Sequence, residues 1–281
     1  MNKPLIGIIG SEGKMGKAFS QLFVSREFEV IGADLNTDLS GEQVARKADI
    51  LIFSVPITRT VEVIRELSPL AKSGALIADF TSIKSPAVQA LLESAPESCE
   101  VLGLHPMFGP EFGSDLKQQV IVSCPVRSGT LAEQLLDFFR SEGAHIKECS
   151  AEEHDRMMSL IQGITHISAI ATGMAMKKLG FQINKSLDFS SPIYKLRLDM
   201  VGRVLSQSPE LYAEIAIENP LTEQSLTAYQ EAITLLMKTV QERDENRFVQ
   251  AFREAADFMG DFKNQAYRRT NHLLTLSKNI S

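Results

Sequence analysis

The chain is poor in the features that cross-link a protein or carry it through a membrane. Its 281 residues hold three cysteines, Cys99, Cys124 and Cys149, with no CxxC spacing and no paired histidines at metal-ligand spacing. Neither a disulfide framework nor a zinc site is expected; reduced thiols fit the pattern. Basic charge is scarce as well, 29 Lys and Arg against 35 Asp and Glu, for a formal net charge of −6. That balance disfavours nucleic acid and anionic membrane surfaces as partners, while leaving room for a local basic pocket that holds a small dianion. The N-terminal MNKPLIGIIGSEG breaks a short apolar run with glycines, which suits neither a signal peptide nor a membrane span, so a cytoplasmic location is expected. Internal repeats and low-complexity tracts are missing, which removes solenoid and linker-rich architectures.

What is present is an ordinary soluble composition, 44% hydrophobic and 23% charged, in a chain long enough for two domains. The first half alternates short β-type runs with helical stretches: LIGIIG (5–10), FEVIGAD (28–34), DILIFSV (49–55), ALIADF (75–80), VLGLH (101–105) and VIVSC (120–124). Continuous apolar strands separated by amphipathic helices predict a parallel sheet covered on both faces. After residue 149 the pattern becomes helical throughout, opening with Ser150 as an N-cap and Glu153 at capping-box spacing. The expected fold is α/β, an N-terminal doubly wound Rossmann-type domain (1–149) followed by an all-α domain (150–281). Met157, Met158, Met174, Met176 and Met200 read as core packing in preference to an adaptable binding surface.

The first strand runs straight into Gly10-Ser11-Glu12-Gly13-Lys14-Met15-Gly16 and a helical pattern follows at once. A strand, a tight glycine turn and a helix N-terminus bring backbone N–H groups and the positive end of the helix dipole against a pyrophosphate. Gly13 and Gly16 take the second and third positions of the usual fingerprint, with Ser11 at the first, so the loop is GxxGxxG. Asp34 closes the next strand, about 20 residues on, where a carboxylate can accept hydrogen bonds from ribose hydroxyls. It would also repel the 2′-phosphate of NADP, and no arginine follows it closely; NAD is the expected cofactor. Gly10, Ser11, Gly13, Lys14, Met15, Gly16, Asp34 and the end of the third strand, Ser54, Val55 and Pro56, form the candidate cofactor site.

In open α/β sheets the reacting group lies beyond the carboxyl ends of the strands. Those ends carry Thr81-Ser82-Ile83-Lys84 and His105-Pro106-Met107-Phe108-Gly109-Pro110. A neutral histidine beside a nicotinamide can accept a hydroxyl proton while hydride leaves the same carbon, and a serine can fix its tautomer. Taken alone, His105 reads first as a hydrogen-bonded structural residue, the commoner role of a histidine after a strand. His154-Asp155 near a helix start reads first as a cap and helix-end pair. His166 is balanced between core and pocket, and His145 and His272 carry no motif.

LGLHPMFGP (102–110), with DFTSIKSP (79–86) before it, AEEHDRMMSLIQ (151–162) after it and SSPIYKLRLDMVGR (190–203) further on, resembles the prephenate dehydrogenases of tyrosine biosynthesis over nearly the whole chain. The resemblance implies oxidative decarboxylation of prephenate to 4-hydroxyphenylpyruvate with hydride transfer to NAD. It implies that His105 draws off the ring hydroxyl proton, that Ser82 orients His105, and that Arg203 grips a substrate carboxylate, in some relatives across a subunit interface. Lys195, His166 and Tyr212 match positions lining or approaching the pocket, Lys195 standing where some relatives have arginine. Glu111 directly follows the HPMFGP motif and is a candidate for gating the pocket or for a solvated loop carboxylate. The resemblance further implies a homodimer and chemistry that needs no metal; with the sequence opening on the nucleotide-binding strand and no βαββαβ pattern after the helices, neither the chorismate mutase domain fused to some relatives nor a regulatory module is expected. Arogenate or an amino-substituted prephenate is the rival substrate. A non-catalytic dinucleotide sensor is a third reading, disfavoured by Ser82, His105 and Arg203 occurring together.

Overall fold

The six apolar runs and one further segment form the seven strands of one sheet in this computed structural model, which describes residues 3–112 and 115–277. The strands are β1 (Ile6–Ile9), β2 (Val30–Ala33), β3 (Ile50–Phe53), β4 (Leu76–Asp79), β5 (Glu100–Pro106), β6 (Val120–Arg127) and β7 (His145–Glu148), in the order β2-β1-β3-β4-β5-β6-β7. Helices α1 (Lys14–Ser25), α2 (Gly41–Lys47), α3 (Ile57–Leu67), α4 (Ser85–Ser94) and α5 (Thr130–Ser141) connect them. Alternate residues of a strand point to opposite faces, and the core divides accordingly. Ile6, Ile8, Phe19, Phe23 and Phe139 pack on one side; Ile9, Leu51, Phe53, Val44, Ile64 and Leu91 pack on the other. The doubly wound expectation is met.

The sheet departs from an all-parallel plan at β6, which runs antiparallel to β5, with His105 opposite Val122. A parallel crossover needs a helix between the strands, and between β5 and β6 the described residues hold only the short turn Pro110–Phe112. Between β6 and β7 lies α5, and that pair is parallel. β7 escapes the sequence reading because its segment, HIKE, is almost wholly exposed and shows no apolar run; it is a charged edge strand.

Downstream lie α6 (Ala151–Met158), a wide π-type turn (Ser159–Ile164), α7 (Thr165–Lys178), α8 (Ile183–Asp188), α9 (Pro192–Leu205), α10 (Pro209–Glu218), α11 (Thr222–Glu242), α12 (Glu245–Met259) and α13 (Phe262–Ser277). By packing, the chain forms two units: residues up to Gln162 with Glu210–Leu221, and Gly163–Pro209 with Thr222 onward. The first unit thus extends beyond residue 149. Ser150 caps α6, accepting from the Glu153 N–H at 3.1 Å, and α6 lies against α4 and β6 through Ala151, His154, Asp155 and Met158, all buried. Glu214 of α10 accepts from the Ile57 N–H (3.0 Å) and the Thr58 hydroxyl (3.2 Å), capping α3. Asn219 donates to the Asp155 carbonyl at 2.9 Å.

The second unit is helical. α7 packs on α9, α11 on α12 and α12 on α13. Phe181, Phe189, Phe252, Phe258 and Tyr267 are exposed, an apolar display unusual for a surface with no partner. Among the described residues, no helix is long and apolar enough to cross a membrane.

Glycines test this geometry. A Cβ on Gly16 would sit 2.2 Å from the Gly10 carbonyl oxygen, whereas one on Gly202, inside α9, would meet open space. We expect Gly16→Ala to cost about 1–3 kcal/mol or more through overpacking, and Gly202→Ala to gain up to about 1 kcal/mol from helix propensity. Thermal unfolding of the two variants reads both signs.

Candidate active site

The strand order reverses between β1 and β3, and the two loops leaving these strands meet there. Gly10 has φ +86°, and a Cβ on it would lie 2.4 Å from the Ser54 carbonyl oxygen. Only glycine lets the Gly10–Gly16 turn lie this close to Ser54-Val55-Pro56. Ser11 stands at the position where the fingerprint has glycine, and Gly32 of β2 makes the space for it: a Cβ there would meet the Ser11 hydroxyl at 2.5 Å. Gly13 is the N-cap of α1 in extended conformation, with no side chain capping the helix. Lys14 is exposed, while Met15 packs against the core. Asp34, just past β2, accepts from the Glu12 N–H at 2.9 Å and the Leu35 N–H at 2.7 Å. An uncapped helix start, a glycine turn that a Cβ would block and a carboxylate at the end of β2 together suit a dinucleotide.

His105 lies near the end of β5, 3% exposed. Its Nδ1 is 2.8 Å from His154 Nε2, and His154 Nδ1 is 2.8 Å from Asp155 Oδ1. The Asp155 carboxylate in turn accepts the N–H groups of Lys84 and Ser85, each at 2.8 Å, and so caps α4 from a different helix. The adjacent Lys84 side chain is fully buried; its ammonium contacts the Asp79 carboxylate and donates to the Leu104 carbonyl at 2.7 Å. A cation at a helix N-terminus opposes the dipole, and two carboxylates meet that requirement here.

The electrostatics follow from burial. It is the chief cause that holds His105 well below its ordinary 6.5, aided by His154 and Lys84. Burial likewise lowers His154, against the pull of Asp155. For Asp155 burial acts upward, but hydrogen bonds from His154 and the α4 N-terminus outweigh it and hold the carboxyl below its usual range. Burial pushes the Asp79 carboxyl up despite Lys84. Two neutral imidazoles beside a fixed carboxylate are the resulting state near neutral pH.

Ser82 is half-buried in the turn before α4; among the described residues no hydrogen bond joins it to His105, whose Nδ1 faces His154. His154 and Asp155 are likewise not a cap of their own helix, a role that Ser150 fills. Glu111, exposed in the turn after β5, folds its carboxylate back over Gly109. Tyr212, on α10, is half-buried and belongs to the first unit; His166 on α7 and Lys195 and Arg203 on α9 belong to the second. Within the second unit Arg203 lines a groove of about 930 Å³ with Gly173, Met176, Phe181 and Leu198.

Two family models match the chain: prephenate dehydrogenase, nucleotide-binding domain, over residues 24–148, and prephenate dehydrogenase, dimerization domain, over residues 150–254. A T-protein of Haemophilus influenzae is 34% identical over 98% of this chain and 72% of its own length. The chain belongs to the prephenate dehydrogenase family. A probable arogenate/prephenate dehydrogenase of Methanocaldococcus jannaschii is 33% identical over 98% of the chain, which spans 66% of that relative. The fold matches that of a prephenate dehydrogenase from A. aeolicus, solved with hydroxyphenyl propionate and NAD+, at a TM-score of 0.72 and 18% identity, covering 93% of this chain and 99% of that one. The chain thus has the family's nucleotide-binding domain and its helical dimerization domain.

The burial of Lys84, the reach of Asp155 to α4 and the contact of His154 with His105 were missed by sequence reasoning. The available signal was Lys84 directly before Ser85-Pro86 at a helix start, where a buried lysine requires carboxylates from elsewhere in the chain.

Unfolding returns both imidazoles to about 6.5, so below that pH the unfolded chain binds more protons and stability falls. Above it the two histidines contribute no slope. The thermal midpoint should therefore drop as pH falls from about 7 to 5, and the drop should be smaller in His105→Asn; an equal drop would show that His105 is not buried neutral.

Proposed function

We propose that the protein oxidises and decarboxylates prephenate to 4-hydroxyphenylpyruvate with NAD as hydride acceptor, in tyrosine biosynthesis in the cytoplasm, and that it works as a homodimer. The observation that carries this reading is a buried imidazole, His105, at the end of β5 with its Nδ1 held by another side chain. Such an imidazole is neutral, has a fixed orientation and has one nitrogen left to take a proton.

Gly10, Ser11, Gly13, Lys14, Met15 and Gly16 would hold the pyrophosphate with the α1 N-terminus, Asp34 the adenosine ribose, and Ser54, Val55 and Pro56 the neighbouring wall. Bound nicotinamide supplies the hydride acceptor. The chain's residues do the rest. His105 accepts the C4 hydroxyl proton as hydride leaves C4, and the ring carboxylate departs as carbon dioxide, its electron pair completing the aromatic ring. Arg203 would grip a substrate carboxylate, its planar fork suiting a bidentate contact of roughly 1.5–3 kcal/mol per charge-assisted bond. Lys195, a point charge where a fork would be firmer, and His166 and Tyr212 would complete the anionic pocket, with Glu111 at its edge. Ser82, at the turn before α4, would help to orient His105.

The exposed aromatic surface of the second unit supports pairing of two chains through that unit. The acidic Asp34 supports NAD over NADP, since a 2′-phosphate beside it is repelled.

The test mixes purified protein with NAD and prephenate, following reduced cofactor and aromatic keto acid together, with arogenate, 4-amino-4-deoxyprephenate and NADP in parallel. Turnover highest with prephenate and NAD is expected; higher turnover with an amino-bearing substrate would transfer the assignment to it. His105→Asn should lower kcat by about 10²–10⁴ while leaving binding intact. Arg203→Gln should mainly raise KM, and an unchanged KM would place the anchor elsewhere.

A further inference from the structure

The chain Asp155, His154, His105 fixes protons one nitrogen at a time. Asp155 is held ionised by its hydrogen bonds, and an ionised carboxylate only accepts; the proton between it and His154 therefore sits on His154 Nδ1. His154 is 1% exposed and, as described above, stays neutral, so its Nε2 keeps a lone pair. That lone pair lies 2.8 Å from His105 Nδ1, which must then carry the proton of the pair. His105 Nε2 is left as the bare acceptor. The groups facing the two rings are Asp155 of α6, Lys84 at the start of α4 and Asp79 of β4, the last two paired with each other. Neither lysine nor carboxylate there competes for the proton between the rings.

We propose that His154 is the positioning residue of His105: anchored by Asp155 at the α4 N-terminus, it accepts a hydrogen bond from the His105 Nδ1–H and so presents an unprotonated His105 Nε2 to the substrate hydroxyl. This rests on the reading of His105 as the proton acceptor. The arrangement also holds when His105 takes up a proton. Its Nδ1–H already has an acceptor, so no hydrogen bond reorganises, and the Asp155 charge two links away opposes the new imidazolium charge. The tautomer of His105 would otherwise be divided between two forms, only one of which can accept at Nε2. Asp155 links this tautomer to the backbone, because the same carboxylate that sets His154 is fixed by two main-chain N–H groups of α4.

The experiment has an arm that does not use turnover. In ring-15N-labelled wild-type holoenzyme, His105 should show a protonated Nδ1 and an unprotonated Nε2 near neutral pH; the opposite tautomer overturns the proposal whatever any variant does. In the kinetic arm His154→Leu, which cannot accept, should lower kcat by at least roughly 10-fold and up to about 10⁴-fold, with KM for substrate and cofactor little changed, the upper end being the loss when a triad histidine takes the wrong tautomer. His154→Gln, whose amide oxygen can accept from Nδ1, should recover part of that loss and serves if the leucine variant fails to fold. The acid limb of the kcat/KM profile should shift between wild type and His154→Gln. A purely structural role predicts lost stability with an unchanged limb and no rescue, and that outcome overturns the proposal. In His105→Asn the further change His154→Leu should cost nothing more. If His105→Asn keeps wild-type turnover, the functional reading fails first; if it loses turnover while both His154 variants keep wild-type kcat and pH profile, only this proposal fails.

Discussion

Asp155 reaches out of α6 and caps a different helix. Its two oxygens accept from the first N–H groups of α4, which have no partner within their own helix, and one of those oxygens also accepts a hydrogen bond from His154 Nδ1. A carboxylate held this way stays ionised and stays in place. The position of α6 against α4, the tautomer of His154 and, through it, the orientation of His105 all depend on that contact. Removing it would leave two backbone donors and a ring nitrogen buried without acceptors, each costing about 1–3 kcal/mol.

Around this contact the sheet brings two functions to one edge. Strand order reverses between β1 and β3, so the helices α1 and α3 that follow them cover opposite faces and the loops between meet at a crevice at the strands' carboxyl ends. β4 and β5 continue in parallel on the same side, which puts the ends carrying Asp79, Ser82 and His105 along the same rim as the glycine turn. The reversal to antiparallel at β6 sets the HPMFGP turn directly beyond His105. The segment of α10 assigned to the first unit adds a further tie, since Glu214 caps α3 immediately after Ser54-Val55-Pro56 and Asn219 bonds the Asp155 carbonyl. α10 and the residue after it thereby contact the loop that follows β3 and the main chain of Asp155.

Much of this was legible from residue patterns because it depends on local rules. Apolar runs bounded by glycine, a helix start after GxxGxxG and a Ser150 cap are short-range signals, and they became β1, α1 and α6. β7 was not legible because an exposed edge strand needs no apolar run. The antiparallel β6 was legible only through the missing helix before it, a feature easily overlooked when strands are counted. His105 was found through its motif, whereas its partner was not. The His154–Asp155 dipeptide looks like an ordinary helix start, and its function depends on which helix end Asp155 reaches, 71 positions back to Lys84. Contacts made across such sequence distances leave no periodicity to read.

The buried lysine shows why the site tolerates so much polarity. Lys84 and Asp79 are both fully buried, and a charge pair in that setting seldom adds stability over a well-packed apolar pair. Its value lies in what it excludes. The ammonium, facing His105 and His154, disfavours protonation of either ring, while Asp155 would favour it on His154. Burial and Lys84 outweigh Asp155, so the pair of imidazoles remains neutral and ready to accept one proton. With Asp155 alone, His154 would tend toward the imidazolium and donate at Nε2, turning His105 so that its free nitrogen is a donor. The lysine and the carboxylate act in opposition on His154, and with burial their balance keeps both imidazoles neutral inside the protein.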